Sequence, residues 1–201
     1  MNRQLLIEVH PIKISSTPLT ENVGGVKKPL IVEGILATAE IKNGNGRYYS
    51  RDLWEREMKN YSEQIKQRRA IGELDHPESQ VINLKNVSHL ITDYYWDGDN
   101  VMGKIEILNT PSGQILEALI RNNVTVGVSS RGMGSLEQNG NVMEVQDDFE
   151  LLCWDFVSTP SNPGSYMSVL REGKESTTAN YSKVNNIIYE ILCSKGSCPI
   201  F

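Results

Sequence analysis

The fold is decided by residues 87–108, which read VSHLITDYYWDGDNVMGKIEIL. The runs over residues 87–96 and 101–108 are rich in β-branched and aromatic side chains, which favour strands. Between them, the Asp97-Gly98 step tolerates the positive backbone angles of a tight hairpin turn. The stretch therefore predicts a β-hairpin, and it indicates a fold built mainly from antiparallel strands.

Other segments extend this β-rich pattern on both sides of the hairpin. Helices are expected over residues 51–68 and, after residues 111–113, around residues 115–121, and further strands at residues 5–9, 30–41, 125–130, 142–145 and 149–157. The two glycines in residues 131–134 predict a tight loop directly after the strand that ends at residue 130. We expect an α+β, mainly β fold in which a closed or partly closed, antiparallel barrel-like sheet is surrounded by a few helices.

The chain is expected to form one globular domain followed by a tail. Its 201 residues, of which 39% are hydrophobic, suit a single packed core. Residues 172–180 are polar, and apolar residues at helical spacing return within residues 183–193. We therefore expect a domain over residues 1–171, and a linker with a detachable C-terminal helix over residues 172–201.

Charge and hydropathy exclude several classes of partner. The net charge of −5 gives no basic surplus to neutralise a phosphate backbone, so nucleic acid is not expected as the main partner. No run reaches the roughly 18 apolar residues of a membrane span, and the apolar stretch at the start is too short for a secretory signal. We expect a soluble, intracellular protein without a membrane partner.

Three histidines, His10, His76 and His89, are candidates for a general base. A serine hydroxyl becomes a good nucleophile only when such a base lies within hydrogen-bond reach. His10 is close to the N-terminus, and His89 lies in a strand pattern where a structural role is equally expected. His76 lies in the stiff segment Gly72-Glu73-Leu74-Asp75-His76-Pro77, and a fixed loop of this kind suits a catalytic base.

Ser129 and Ser130 are the candidate nucleophiles, because they stand between an apolar strand and a glycine-bordered segment. Donors from Ser130, Arg131 and Gly132 can point at the oxygen that becomes negative in acyl transfer, and Arg131 can also orient a bound water. The alternative is that Gly-Val-Ser-Ser-Arg-Gly is merely a turn, since Ser and Gly are frequent in turns.

A third group should orient the imidazole and stabilise its charge after proton transfer. Asp155 is the first choice, because it interrupts the apolar run over residues 149–157, where a buried carboxylate needs a partner. Alternatively, Asp155 faces solvent by simple strand alternation. Glu73 and Asp75 are then the substitutes for the third member.

Metal and cofactor chemistry receive little support. His76 with the neighbouring acids, or Cys193 with Cys198, could be considered as ligands, but neither set has a recognised spacing. We therefore expect neither a metal nor a cofactor. All three cysteines, including Cys153, are expected to be reduced thiols, although the last two are close enough for a short-loop bridge.

Two motifs resemble those of the prohead core proteases of large contractile-tailed bacteriophages. They are residues 72–77 and Gly127-Val128-Ser129-Ser130-Arg131-Gly132-Met133-Gly134-Ser135, and the likeness extends over about residues 3–167. This family is related in fold to assemblin, the herpesvirus maturation protease. The resemblance implies that His76 is the base and Ser129 the nucleophile. It also implies a third member on a strand after the nucleophile, where Asp155 lies, whereas family members carry Asn at the position of Asp75.

The resemblance implies a serine endopeptidase that needs no cofactor and acts inside the immature capsid, the prohead, in the host cytoplasm. Its implied substrates are scaffold and core proteins, the N-terminal part of the major capsid protein and the enzyme itself, and a homo-oligomer is a further candidate state. Family members prefer a small aliphatic residue two positions before a cleaved glutamate. Triplets of this kind are residues 6–8, 31–33 and 188–190, so we expect self-cleavage after Glu190 or nearby in the linker. The alternative function is a non-catalytic scaffold module that docks through its C-terminal helix.

Overall fold

The computed structural model describes residues 3–10, 29–77, 79–158 and 167–169. These residues belong to one compact unit, Met1–Leu170, and form eleven strands and two helices. The helices are α1 (Arg51–Lys66) and α2 (Pro111–Arg121). The strands are β1 (Gln4–His10), β2 (Leu30–Thr38), β3 (Arg47–Tyr48), β4 (Ile71–Glu73), β5 (Val87–Asp97), β6 (Asn100–Ile107), β7 (Gly127–Gly134), β8 (Leu136–Asn139), β9 (Val142–Val145), β10 (Glu150–Val157) and β11 (Met167–Val169).

The described strands form three sheets, with strand orders β1-β7-β10, β11-β2-β6-β5-β4 and β3-β9-β8. All paired strands are antiparallel except β3 and β9, which are parallel. The mainly β, antiparallel fold that we predicted is therefore confirmed. Within the described residues each sheet keeps two edge strands, so the barrel is not closed.

The predicted hairpin is present as β5 and β6. Trp96 pairs with Val101 and Asp97 with Asn100, and the chain reverses at Gly98, whose φ is +57°. Side chains along β6 alternate between buried and half-buried positions, as expected for a strand with one face against the core. The hairpin is the centre of the five-stranded sheet.

Helix α1 fixes the position of β10. The helix begins after Ser50, whose side-chain oxygen accepts the amide of Leu53. Trp54 stacks on Trp154 of β10 with ring centroids 5.6 Å apart, and the Glu57 carboxylate accepts the backbone amide of Leu151 at 2.8 Å. One apolar and one polar contact therefore hold the middle and the start of β10 against the helix.

The loop expected at residues 131–134 is absent, because β7 continues in extended conformation through Gly134. The glycine at position 132 is required by packing rather than by a turn. A Cβ at Gly132 would lie 2.4 Å from Cε2 of the Phe149 ring, far closer than two carbons can approach. The glycine therefore lets an aromatic ring pack directly on the strand backbone.

Some predictions fall on residues outside the described ranges. They include the domain boundary at residues 171–172 and the C-terminal helix over residues 183–193. Neither α1 nor α2 is long and apolar enough to cross a membrane.

Candidate functional site

Three segments bring the predicted site residues together. Ser129 on β7 lies directly opposite Asp155 on β10, so both side chains point to the same face of the sheet. His76 follows β4, and the backbone just before it is attached to β10: the amide of Asp75 donates to the carbonyl oxygen of Phe156 at 2.7 Å. The sheet register and this backbone contact place the imidazole beside the serine and the aspartate.

The three side chains form a continuous chain of contacts. Ser129 Oγ lies 3.0 Å from His76 Nε2, and His76 Nδ1 lies 2.8 Å from Asp155 Oδ2. Ser129 and Asp155 are fully buried, and the His76 side chain is 10% exposed. The Nδ1–Oδ2 contact is short, although its geometry is not that of a well-aligned hydrogen bond. In this arrangement an imidazole can accept the proton of a hydroxyl while a carboxylate stabilises the resulting charge.

Asp155 is held by a dense set of donors. Its Oδ1 accepts the backbone amide of Glu73 at 2.9 Å and Nη2 of Arg131 at 3.2 Å, and its Oδ2 lies 3.0 Å from Nε of Arg131. Burial alone would raise the pKa of this carboxyl. The contacts with His76, the Glu73 amide and the Arg131 charge outweigh burial and lower the pKa below its ordinary value. Asp155 is therefore an anion at neutral pH.

The two substitutes for the third member have other partners. The Glu73 carboxylate is fully buried and accepts Nη2 of Arg131 at 2.9 Å rather than the imidazole. The Asp75 side chain accepts the backbone amide of His76 at 2.9 Å. Asp75 has a φ of +69°, a left-handed conformation that Asp and Asn adopt more readily than other residues with a side chain. Of the three acids, only Asp155 meets the His76 ring.

His89 is a structural residue. Its Nδ1 lies 2.9 Å from the Ser88 hydroxyl and its Nε2 lies 3.0 Å from the carbonyl oxygen of Trp154. The carbonyl can only accept, so Nε2 carries the proton and Nδ1 accepts from Ser88. Burial lowers the pKa of His89 to about 4. Both ring nitrogens are therefore engaged away from Ser129. The side chain of His10 lies outside the described residues.

The candidates for oxyanion stabilisation lie in β7, between two partner strands. Residues 128–133 of β7 pair with both β1 and β10, so the amides of Ser130, Arg131 and Gly132 belong to a strand that is paired on both edges. Among the described residues, the buried Ser130 Oγ has no hydrogen-bond partner, and the Arg131 guanidinium binds Glu73 and Asp155. Donation from these three residues to a substrate oxygen stays a prediction.

Sequence reasoning missed one neighbour of Asp155. The Cys153 thiol lies 3.2 Å from Nε of Arg131 and 3.5 Å from Oδ1 of Asp155, and burial raises its pKa so far that it stays protonated. Strand alternation places residues 153 and 155 on one face, so the spacing carries this information. Within the described ranges, no three His, Cys, Asp or Glu side chains are grouped as a metal site.

Comparisons with known proteins point to one family. Residues 4–178 match the family described as prohead core protein serine protease. The prohead core protein protease of Enterobacteria phage T4 is 35% identical, and the alignment covers 88% of each chain. A solved structure of the bacteriophage T4 capsid assembly protease matches with a TM-score of 0.71 and 31% identity, over 80% of this chain and all of that one. The chain therefore belongs to the prohead core protein serine proteases and is a hydrolase of phage capsid maturation.

Proposed function

We propose that the chain cleaves peptide bonds with Ser129 as nucleophile, His76 as general base and Asp155 as the acid that orients the imidazole. The observation that carries this proposal is the unbroken chain of 3.0 Å and 2.8 Å contacts from the hydroxyl through the imidazole to the carboxylate. Because an anionic Asp155 favours a proton on Nδ1, it leaves the lone pair of Nε2 directed at Ser129. The base is then in the tautomer that the reaction needs.

The proposed reaction has two halves. Ser129 Oγ attacks the carbonyl carbon of the substrate while Nε2 of His76 takes the hydroxyl proton; the C–N bond then breaks, and the leaving amine takes that proton. The acyl group is now an ester of Ser129. A water molecule attacks this ester and gives a proton to His76, and the serine recovers it as the acid product leaves. Asp155 stabilises the imidazolium in both halves.

We further propose that the substrates are the scaffold and core proteins, the N-terminal part of the major capsid protein and the chain itself, inside the prohead of an infected host cell. The T4 relatives support the coarser role, because they are described as a prohead core protein protease and a capsid assembly protease. The individual substrates are inferred from the family resemblance.

Two of the three glutamate triplets in the chain are sheltered from cleavage. Glu8 is buried on β1, and its carboxylate accepts Arg47 at 2.8 Å and the Tyr49 hydroxyl at 2.9 Å. Glu33 lies on β2, which is paired on both edges with β6 and β11. A protease must separate the scissile segment from its own sheet before that segment can enter the active site, and strands held in this way resist that separation. Glu190, which lies outside the described residues, is the proposed self-cleavage site.

The central test compares wild type with Ser129→Ala on the scaffold protein of the same phage. We expect the variant to lose at least about a thousand-fold in cleavage rate, because removal of the nucleophile removes the covalent pathway. Ser62→Ala is the matched control; its hydroxyl donates to the Lys59 carbonyl within α1. If Ser129→Ala cleaves like wild type, the nucleophile assignment is wrong, and a variant that keeps every assembly function favours the scaffold module.

Intact-mass measurement tests self-cleavage. Wild type should lose the residues beyond Glu190, whereas Ser129→Ala and Glu190→Gln should keep their full mass under the same conditions. Loss of the same fragment from Ser129→Ala would point to a contaminating protease. A wild-type chain that keeps its full mass would contradict self-cleavage.

A further inference from the structure

We propose that Arg131 and Glu73 act as a positioning pair, which fixes the Asp155 carboxylate against His76 and anchors the segment that follows His76. This inference rests on the proposed function, because it assigns a role in the same reaction. Neither the Arg131 guanidinium nor the Glu73 carboxylate is proposed to touch the substrate. Both act through Asp155 and through the backbone around the imidazole.

Arg131 distributes its donors over four partners, one of which is the Cys153 thiol at 3.2 Å from its Nε. Its Nη2 lies 2.9 Å from Glu73 Oε1 and 3.2 Å from Asp155 Oδ1, its Nε lies 3.0 Å from Asp155 Oδ2, and its Nη1 donates to the carbonyl oxygen of Ser79 at 2.7 Å. The side chain is fully buried. A planar guanidinium carries its donors on three nitrogens in fixed directions and can meet these acceptors at once, whereas the single ammonium nitrogen of a lysine cannot span them. The carboxylate of Asp155 is thereby held from one side while His76 meets it from the other.

Glu73 connects this guanidinium with the backbone on both sides of His76. Its amide donates to Asp155 Oδ1 at 2.9 Å, three residues before the imidazole. Its carboxylate accepts the amide of Asn83 at 3.1 Å and Nδ2 of Asn86 at 3.2 Å, in the segment after the imidazole. Together with the Arg131–Ser79 bond, these contacts close the chain around His76 and tie both ends to β7 and β10.

The charges of the cluster suit proton transfer. Two carboxylates, from Glu73 and Asp155, share one guanidinium, so the cluster is one unit negative while His76 is neutral. It becomes neutral when Nε2 takes the proton of Ser129. The imidazolium therefore forms beside a negative charge that is already in place. Such a preorganised charge lowers the barrier, because no groups have to move when the proton is transferred. Glu73 and Arg131 cancel each other in this sum, so the pair holds Asp155 in place without changing the net charge beside the imidazole.

The other titratable groups around Asp155 carry no charge at pH 7. The side chains of His76, His89, Arg131, Cys153 and Tyr61 interact electrostatically with its carboxylate, and Glu73 shares the Arg131 guanidinium with it. Burial raises the pKa of Tyr61 and Cys153 and lowers that of His89, so all three are neutral at pH 7. Arg131 and Glu73 are therefore the charges whose removal should change the field at the imidazole.

The test measures labelling of Ser129 by a fluorophosphonate probe, which forms a P–O bond to Oγ and releases fluoride, as a function of pH. In Arg131→Gln the pH of half-maximal rate on the acid side should rise by roughly one unit, because the cluster becomes more negative and favours the protonated imidazole. In Glu73→Gln it should fall by a similar amount. The double variant should return close to wild type.

Arg131→Lys is the conservative variant. It keeps the charge but not the geometry of the guanidinium, so its acid-side midpoint should stay at the wild-type pH while its plateau rate falls about tenfold or more. A merely structural role would lower the rates of Arg131→Gln and Glu73→Gln without moving their midpoints in opposite directions. If Arg131→Gln does not fold, the other two variants carry the test. The acid-side midpoint should then lie below the wild-type pH in Glu73→Gln and at the wild-type pH in Arg131→Lys, and a midpoint of Glu73→Gln that equals wild type would refute the positioning pair.

The outcomes separate the positioning pair from the proposed function. If wild type is labelled at Ser129, as located by mass spectrometry, and the midpoints of the two single variants coincide with wild type, the positioning pair is refuted and the nucleophile stands. If wild type is not labelled, or Ser129→Ala is labelled equally well, the proposed function itself fails.

Discussion

Replacement of Asp155 by asparagine tests the role of the carboxylate most directly, because every close polar contact of its two oxygens comes from a donor. The donors are the Glu73 amide, two nitrogens of Arg131 and Nδ1 of His76, all within 3.2 Å. In either orientation of the new amide, its NH₂ group faces donors. When that group faces His76, it favours the tautomer in which Nδ1 accepts and Nε2 carries the proton, and Nε2 can then no longer act as a base.

The expected loss follows from this tautomer change. We expect kcat to fall about ten-thousand-fold, which corresponds to about 5 kcal/mol of transition-state stabilisation. The free energy of unfolding should also fall by about 3 kcal/mol, because Arg131 loses one of its two buried anionic partners. Steady-state cleavage of the scaffold protein and urea unfolding measure the two effects.

Asp147→Asn is the matched control for Asp155→Asn. It makes the same change in charge at a side chain that is 99% exposed, so we expect activity and stability close to wild type. If Asp155→Asn keeps its kcat within tenfold of wild type, the reasoning is refuted and the imidazole is oriented by another group. An equal loss in Asp147→Asn would show that net charge, rather than the contact with His76, is responsible.

Three further changes test the packing and the buried charges around the site. Burial lowers the pKa of His89 from 6.5 to about 4, so between these pH values the unfolded chain binds a proton that the folded chain does not. The free energy of unfolding should therefore fall by about 3 kcal/mol from pH 6.5 to pH 4. Urea unfolding at several pH values measures this, and a His89→Gln variant whose free energy of unfolding depends on pH as steeply as that of wild type would contradict it. In Gly72→Ala, the new Cβ would lie 1.8 Å from the carbonyl oxygen of Trp154; we expect a loss of about 3 kcal/mol or more, and an unchanged melting temperature would show that the backbone relaxes freely. Glu8→Gln removes the buried anion that pairs with Arg47, so stability should fall by about 3 kcal/mol in urea unfolding, and no loss would mean that the hydrogen bonds suffice without the charge.

Local sequence patterns were sufficient for the longer elements of the fold. The hairpin, α1 and β9 were predicted nearly to their ends, because alternation, helical spacing and turn residues act over short distances. The prediction of a loop at residues 131–134 was wrong, since a glycine can permit either a turn or the close approach of another side chain to the backbone. Only the ring of Phe149, distant in sequence from Gly132, decides between the two.

The site was predictable to a different degree at each residue. Resemblance to a known family pointed to His76 and Ser129, and the cost of burying an unpaired carboxylate pointed to Asp155. The structure brings these three side chains together. The partnership of Glu73 with Arg131 could not be read from the sequence, because it depends on tertiary contacts between β4 and β7 that leave no local pattern.

The central position of β7 has a consequence for how activity should disappear on heating. Both edges of this strand are hydrogen-bonded over nearly its whole length, so Ser129 sits in the part of the sheet that opens last. Fraying at the periphery should leave Ser129, the proposed nucleophile, in place. Inactivation and cooperative melting should therefore coincide, and turnover would serve as a direct readout of the fraction of intact molecules.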